Sequence, residues 1–376
     1  MGLKMLIGAD IVPTEKNINR FISGDTDYLI GNRLKSRFNN ADFIVLNLEV
    51  PLADSKKPIR KCGPCLIAPT AVINGIKKIN PYFLNLANNH ILDHGVEGLQ
   101  STIKVLTENK IDFSGVGLNL LEARKPYIRK IGMSRVGIFC CAEHEYSIAT
   151  NKKPGANPYD PLVSFDDVKE LKRNCDYVVV LYHGGKEHYR YPSPMLQRVF
   201  RKFADSGADL VVAQHSHCIG CKEEYKGSTL VYGQGNFLFD HSTSEFWKTS
   251  LLLEVDLESK EIHFIPIVKD DDRVREAVEN QALNILKEFE ERSEAILEND
   301  FLEKRYSDYA KKMEAEYLIR FSGKIGNIFL VRALNKLTSY RMIKRLYGDQ
   351  YKVVIENVLD CEAHRELASQ IMRSHK

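Results

Sequence analysis

The sequence has little of what marks secreted, disulfide-stapled or membrane-spanning chains. Its 376 residues include eight cysteines, two of them adjacent (Cys140-Cys141) and the others scattered. That layout excludes a disulfide framework and points to reduced thiols. No apolar run approaches the roughly 20 residues that a membrane-spanning helix needs. Lys4 to Ile7 runs straight into Gly8-Ala9-Asp10, without the basic-then-apolar leader of a secretory signal. A soluble, cytoplasmic protein is therefore expected. The charge is nearly balanced, 53 Lys and Arg against 50 Asp and Glu for a net +3. Nothing in that balance calls for nucleic acid or a membrane as partner of the chain as a whole. There is no internal repeat and no low-complexity tract. A chain of this length can bury a large core.

What is present is a repeated grammar of short apolar runs, each ending in polar donor groups. Met5-Leu6-Ile7 leads to Asp10, and Phe43-Ile44-Val45-Leu46 leads to Asn47 and Glu49. The run behind Pro81 breaks into Asn88-Asn89-His90-Ile91-Leu92-Asp93-His94-Gly95. Behind that, Val96, Leu99, Ile103 and Leu106 recur at helical spacing, which predicts a strand-to-helix loop at the polar cluster. Arg135 to Cys141 reads as a further strand, followed by Glu143-His144-Glu145 as a solvated loop. Tyr177 to Tyr182 is continuously apolar and ends at His183; Leu210 to Ala213 runs into His215-Ser216-His217. Ser193-Pro194 predicts a helix start before Leu196, Val199, Phe200 and Phe203. Asn17 to Arg33 reads as irregular, and Pro51 to Pro69 as a loop with the basic knot Lys56, Lys57, Arg60 and Lys61. Strand–helix alternation through about Val268 argues an α/β domain. The Glu-, Lys-, Ala- and Leu-rich remainder argues helices. The expected division is 1–270 and 271–376, the second part a helical appendage.

Open α/β sheets present ligands at the carboxyl ends of their strands. Five strand ends carrying Asp, Glu, Asn or His are not what core packing requires. If the strands lie side by side, these groups converge on one rim. Oxygen and imidazole donors without thiolates suit Zn, Mn or Fe and argue against a structural zinc cage. A pair of divalent ions sharing a carboxylate clamps a phosphoryl group and activates water.

The chain resembles the CapA-type capsule-synthesis proteins (the poly-γ-glutamate capsule family) of the calcineurin-like metallophosphoesterase superfamily. The likeness rests on Asn47-Leu48-Glu49, Ala87-Asn88-Asn89-His90 with Asp93 and Gly95, and His183-Gly184-Gly185-Lys186-Glu187. It continues through Gly207-Ala208-Asp209-Leu210-Val211-Val212, His215-Ser216-His217 and Gly235-Asn236-Phe237, and spans Leu3 to about Val268. The resemblance implies a double β-sheet sandwich flanked by helices, with two metals at strand ends. It implies Asp10, Glu49, Asn89, His183, His215 and His217 as metal ligands, with Glu49 bridging. It implies His90 as the imidazole that protonates a leaving oxygen, with Asp93 orienting it. Asn47, Glu187 and Asn236 of the same motifs, with Arg60 and Lys61 of the basic loop, stand as substrate-binding candidates. Two departures are expected to matter. Val12 occupies the position of a superfamily histidine, so one ion has four donors (Glu49, Asn89, His183, His215) and the other only Asp10, Glu49 and His217. One site is then weaker, unless His188 or His241 stands in. Gly184, where a tryptophan is common, should open a wall of the pocket.

Cys62-Gly63-Pro64-Cys65 and Cys218-Ile219-Gly220-Cys221 look like redox or zinc motifs. The first lies in a basic loop rather than at a helix start, and the two pairs are too far apart for a zinc ribbon. The function expected is a divalent-metal-dependent hydrolase or transferase acting on an anionic or phosphorylated intermediate of bacterial capsule or surface-polymer synthesis. The alternatives are a non-catalytic assembly factor that binds acidic polymer, and a metal-dependent nuclease. The stretch Arg320 to Tyr347 carries Arg320, Lys324, Arg332, Lys336, Arg341, Lys344 and Arg345 and no acidic residue. It is expected to face an anionic partner or membrane surface.

Overall fold

The computed structural model describes residues 2–240, 242–326 and 328–373. Among them the strands run, in chain order, β1 (Lys4–Ile11), β2 (Phe43–Leu48), β3 (Phe83–Asn85), β4 (Asp112–Ser114), β5 (Val116–Gly117), β6 (Tyr127–Ile131), β7 (Ser134–Ala142) and β8 (Gly155–Ala156). They continue with β9 (Tyr177–His183), β10 (Leu210–Gln214), β11 (Lys222–Tyr225), β12 (Ser228–Val231), β13 (Asn236–Leu238), β14 (Thr249–Asp256), β15 (Ile262–Asp270) and β16 (Arg273–Glu276). One sheet has the order β16-β15-β14-β1-β2-β3-β4, with β13 also pairing with β1; the other is β11-β12-β10-β9-β7-β6. A short pair, β5-β8, stands apart.

Strand side chains alternate between faces, and here both faces of each main sheet are covered. Met5 and Ile7 of β1, Phe43 and Val45 of β2, and Val179 and Leu181 of β9 fill a core between the sheets. Leu6, Ile44 and Leu46 point the other way, toward Phe21, Leu34, Phe38 and Ile76. Val178, Val180 and Tyr182 face Val168, Leu171, Val199, Phe200 and Phe203. The result is a helix–sheet–sheet–helix sandwich, which is why its central strands read as continuous apolar runs. Helix Pro194–Asp205 shows what holds the outer layers. Its Ser193 cap accepts from Leu196 N, as the Ser-Pro pair predicts, and contributes about 1 kcal/mol. Its four buried side chains, Leu196, Val199, Phe200 and Phe203, contribute about 1.5–3 kcal/mol each. Packing, not capping, decides that helix.

Two expectations about local structure change. Asn17 to Arg33 is helical rather than irregular: Ile18–Ser23 is one helix, and Thr26–Asn39 a second that is interrupted at Gly31 (φ 68°). The turn residues are real, with Gly24 in the left-handed conformation and Asp25 accepting from Tyr28 N. Phe21, Leu29, Ile30, Leu34 and Phe38 nevertheless supply enough buried surface to hold helices on either side of them. The other change concerns where the first domain stops. The chain divides into compact units Met1–Leu302 and Glu303–Lys376, so the expected 270/271 division falls inside the first unit. β16 extends the sheet past Asp270 by pairing with β15. Phe289, on helix Glu279–Ala295, then enters the inter-sheet core, 5.0 Å from Phe264 between ring centroids. The Glu- and Lys-rich composition read correctly as helix there but carried no sign of that one buried phenylalanine.

The second unit is helical, as expected, with Gly323–Gly326, Phe329–Leu337, Arg341–Leu346, Asp349–Asp360 and Glu362–Arg373 following the long helix Phe301–Phe321. Among the described residues no helix is long and apolar enough to cross a membrane.

Candidate metal centre

The register of the parallel strands places the polar strand ends side by side. Asp10 lies opposite Asn47 across β1–β2, and Asn47 opposite Asn85 across β2–β3. On the other sheet, Gln214 lies opposite His183 across β10–β9. β13 sets Asn236 against Asp10 from the far side. The β1–β2 ladder shifts register between Ile7 and Asp10, a local irregularity of the kind that re-aims a side chain. Beneath this rim three buried amides join the two sheets. Asn85 Nδ2 donates to Gln214 Oε1 (3.1 Å), Gln214 Nε2 to Gly8 O (3.2 Å), and Gln234 Nε2 to Ile7 O (2.8 Å). Sequence reasoning missed Asn85, Gln214 and Gln234, because neutral amides, whether in an apolar run like Asn85 or between glycines like Gln234, give no signal until the sheets face each other.

At the rim, donor atoms of Glu49, His183 and His215 lie within 4.8 Å of one another, and so do those of Asp10, Glu49 and His217. Asp10, Glu49, Asn89, His183, His215 and His217 are all buried. His183 Nε2 is 3.0 Å from Asn89 Oδ1 and 3.2 Å from Glu49 Oε1, so Asn89 joins the first group. His215 Nδ1 is 3.9 Å from the same Glu49 oxygen. His217 Nδ1 is 4.0 Å from Asp10 Oδ2. The two groups therefore meet at Glu49.

The backbone here is unusual. His215 has φ +100° and His217 φ +54°, conformations that cost a non-glycine residue roughly 1–3 kcal/mol and that cluster at functional sites. The electrostatics are just as pointed. Asp10 Oδ2, both oxygens of Glu49 and Nδ1 of His215 are buried with no hydrogen-bond partner. An uncompensated buried carboxylate is costly, and a cation is what these inward-facing atoms fit. Burial alone would raise the Glu49 carboxyl, but the His183 and His215 imidazoles hold it well below the usual carboxylate range. Burial, and then the charge on Glu49, push Asp10 well above that range. Burial opposes protonation of His215, but the Glu49 carboxylate beside it outweighs burial and raises the imidazole to about 9. Burial lowers His217 to about 4 and also lowers His183.

Beside the donors, His90 Nδ1 is 2.6 Å from Asp93 Oδ2, and the pair is buried. Asp93 also accepts from Leu66 N at 2.6 Å and from Lys61 Nζ at 2.6 Å. The Lys61 side chain is only 2% exposed, and its ammonium also lies 3.3 Å from His90 Nδ1. Lys61 is thus committed to the His90–Asp93 pair instead of standing open to substrate, whereas Arg60 is exposed. Asn47 and Asn236 likewise serve their neighbours. Asn47 Nδ2 donates to Asp10 Oδ1 (2.6 Å), and Asn236 Oδ1 lies 2.9 Å from His217 Nδ1. Glu187 is at the rim, its half-exposed carboxylate 3.8 Å from His215 Nε2. Glu145, expected in a solvated loop, accepts from Asn89 Nδ2 at 2.9 Å and so helps to aim the Asn89 carbonyl.

The two departures resolve differently. Val12 is buried and offers no donor; it lines a cavity of about 700 Å³ together with Phe239, Leu66, Ile67 and Lys56. Phe239 touches His217, with ring centroids 5.6 Å apart. His188 Nε2 accepts from Trp247 Nε1 at 2.8 Å, and His241 lies outside the described residues. Gly184 does not open a wall: a Cβ there would come within 2.5 Å of the Glu143 side chain and 2.7 Å of the Tyr182 ring. All eight cysteines are free, and burial pushes the Cys218 thiol up to about 11 and also raises Cys221, which leaves that pair unsuited to thiolate chemistry.

Comparison with known proteins bears on the same stretch of chain. The family model for the bacterial capsule synthesis protein PGA_cap matches residues 6–241. The capsule biosynthesis protein CapA of Bacillus anthracis is 30% identical over 260 residues, 67% of this chain and 62% of that protein. The PGA biosynthesis protein CapA of Bacillus subtilis is 30% identical over 212 residues, 54% of each chain. The chain thus spans less than two thirds of the length of these relatives. Among solved structures, a phosphatase of Mycoplasma pneumoniae aligns over 72% of this chain and 95% of its own, at 17% identity and a TM-score of 0.45.

Proposed function

The chain belongs to the bacterial capsule synthesis family PGA_cap, and from that premise we propose that it is a divalent-metal-dependent hydrolase or transferase. Its substrate would be an anionic or phosphorylated intermediate of capsule or surface-polymer synthesis, of the kind the names of its CapA relatives suggest. The observation that carries the chemistry is the set of orphaned, buried oxygens and imidazole nitrogen at one rim.

In this reading Glu49, Asn89, His183 and His215 hold one ion, and Asp10, Glu49 and His217 the other. Bound divalent ions supply Lewis acidity to a phosphoryl group and make water a better nucleophile. The residues of the chain do the rest. Asp93 accepts a hydrogen bond from His90 Nδ1 and fixes the ring, so that the imidazolium presents its Nε2 proton to the leaving oxygen and returns to the neutral Nδ1–H form once that proton has passed. Lys61 and Leu66 N hold the Asp93 carboxylate in that orientation. Asn47 and Asn236 orient Asp10 and His217, as outer partners of metal ligands commonly do. The cavity beside Val12 is the space for the part of the substrate that does not react.

Val12 also favours a second reading, because a position without its imidazole weakens the case for turnover. There the rim would bind an acidic polymer through its ions without cleaving it. Metal analysis of the purified protein, with hydrolysis of p-nitrophenyl phosphate and its diester, separates the two. Metal-dependent turnover lost in His90→Ala supports the enzyme. Stoichiometric metal with polymer binding and no turnover supports the assembly factor. A protein that binds no divalent metal defeats both.

A further inference from the structure

The second unit holds a surface that the rim does not use. Helix Phe329–Leu337 turns its polar residue Asn335 inward, where that side chain is fully buried and accepts from Ile343 N at 3.1 Å. Its apolar residues face the opposite way. At 3.6 residues per turn, Phe329, Ala333, Leu337, Leu330 and Leu334 fall within an arc of about 140°. Phe329 is 86% exposed and Leu337 81%, with Leu330 and Leu334 also exposed. Arg332 and Lys336 lie along one border of that arc. A soluble helix normally buries its apolar face and exposes its polar one; this one does the reverse.

The charge around it has one sign. Seven lysines and arginines and no aspartate or glutamate lie between Arg320 and Tyr347. Lys344 pairs with Glu314 and Arg320 with Glu316, each at 2.6 Å. Arg332, Lys336, Arg341 and Arg345 have no acidic partner among the described residues. Exposed apolar side chains bordered by basic ones are the pattern of a helix that lies in a membrane interface, its apolar face among the acyl chains and its cations against anionic headgroups. The later helices of this unit also expose leucines and valines, but they carry Glu356, Asp360, Glu362 and Glu366 among them and lack that complementarity.

We propose that the Phe329–Leu337 helix and its basic surroundings dock this protein onto an anionic lipid surface. Such docking would hold the chain at that surface. It does not depend on the chemistry of the rim, so failure of either reading leaves the other standing.

The test is co-sedimentation of the full chain with phosphatidylcholine vesicles, with and without phosphatidylglycerol. The protein is expected to pellet with the phosphatidylglycerol vesicles, to stay largely in solution with phosphatidylcholine alone, and to be released by high salt. Phe329→Glu with Leu337→Glu should lower the bound-to-free ratio at least about tenfold. Leu359→Glu, an equally drastic change on an acidic helix, should leave it unchanged. All three positions are exposed, and far-UV circular dichroism checks that the variants remain folded. No binding to phosphatidylglycerol vesicles, equal binding to both vesicle types, or unchanged binding of the folded double variant overturns the proposal. So does a concentration-dependent dimer that Leu337→Glu abolishes in the absence of lipid, because the face then belongs to a second copy.

Discussion

The two halves of the rim share Glu49 but differ in what else claims their lone pairs. On one side, His183 Nε2, Asn89 Oδ1 and Glu49 Oε1 already point at one another, and His215 Nδ1 has no partner. On the other, Asp10 Oδ1 is held by Asn47, and His217 by Asn236, while Val12 contributes nothing. A four-donor set satisfies a zinc-like ion, whereas three donors leave a position for water or substrate. The comparison teaches that two positions built from one kind of residue need not be equivalent. In the proposed two-ion reading, the three-donor position is the one left for water or substrate to complete.

The largest effect should come from the residue the halves share. In metal-stripped protein titrated by calorimetry, Glu49→Gln should erase both binding events, because it removes the bridging charge from each side. Survival of one full-strength event would show that the halves are independent. Next come the ligands each half owns. His215→Ala should abolish the tighter event and spare the weaker, and His217→Ala should do the reverse. Each loss should exceed the 10–100-fold seen when only an outer partner is removed. Two equal tight events in the unaltered chain would break the comparison outright.

Protons offer a third way to separate the halves. Glu49 keeps His215 protonated to about 9 in the metal-free protein, whereas burial keeps His217 neutral down to about 4. Metal must displace a proton from the first and none from the second at neutral pH. Affinity of the His215 side should thus rise about tenfold per pH unit from pH 7 and level off near pH 9. His217 itself should add no such slope above pH 6. A pH-independent tight event would mean that His215 is not a ligand. The smallest effect belongs to the outer partners. Asn236→Ala should weaken the Asp10 side by about 10–100-fold and leave the His215 side unchanged, read in the same titration.

The rim was legible in the sequence because a buried strand must be apolar and must stop somewhere. Donors at the ends of Met5–Ile7, Phe43–Leu46, Tyr177–Tyr182 and Leu210–Ala213 stood out against that background. Lys61 was harder. A lysine in a basic loop ordinarily faces water, and only the closure of that loop over Asp93 buries it. Gly184 misled for a related reason. An absent side chain suggests open space, but Tyr182, two residues back on β9, and Glu143, just past the end of β7, occupy it. Glu145 and Gln214 act through partners far away in sequence, to which no local pattern points.

By itself the sequence determined the central apolar strands and the helix behind Ser193, which strand ends carry donors, and that Val12 carries none. Periodicity and residue chemistry are local properties, and they survive without a fold. The tertiary structure alone decided that Glu49 lies between two groups, that His215 and His217 adopt left-handed backbone, and that the first unit runs on to Leu302. It alone decided, too, that helix Phe329–Leu337 turns Asn335 inward and Phe329 out. Each of those depends on which surfaces meet, and contact between residues far apart in the chain is fixed only when the sheets and helices close on one another.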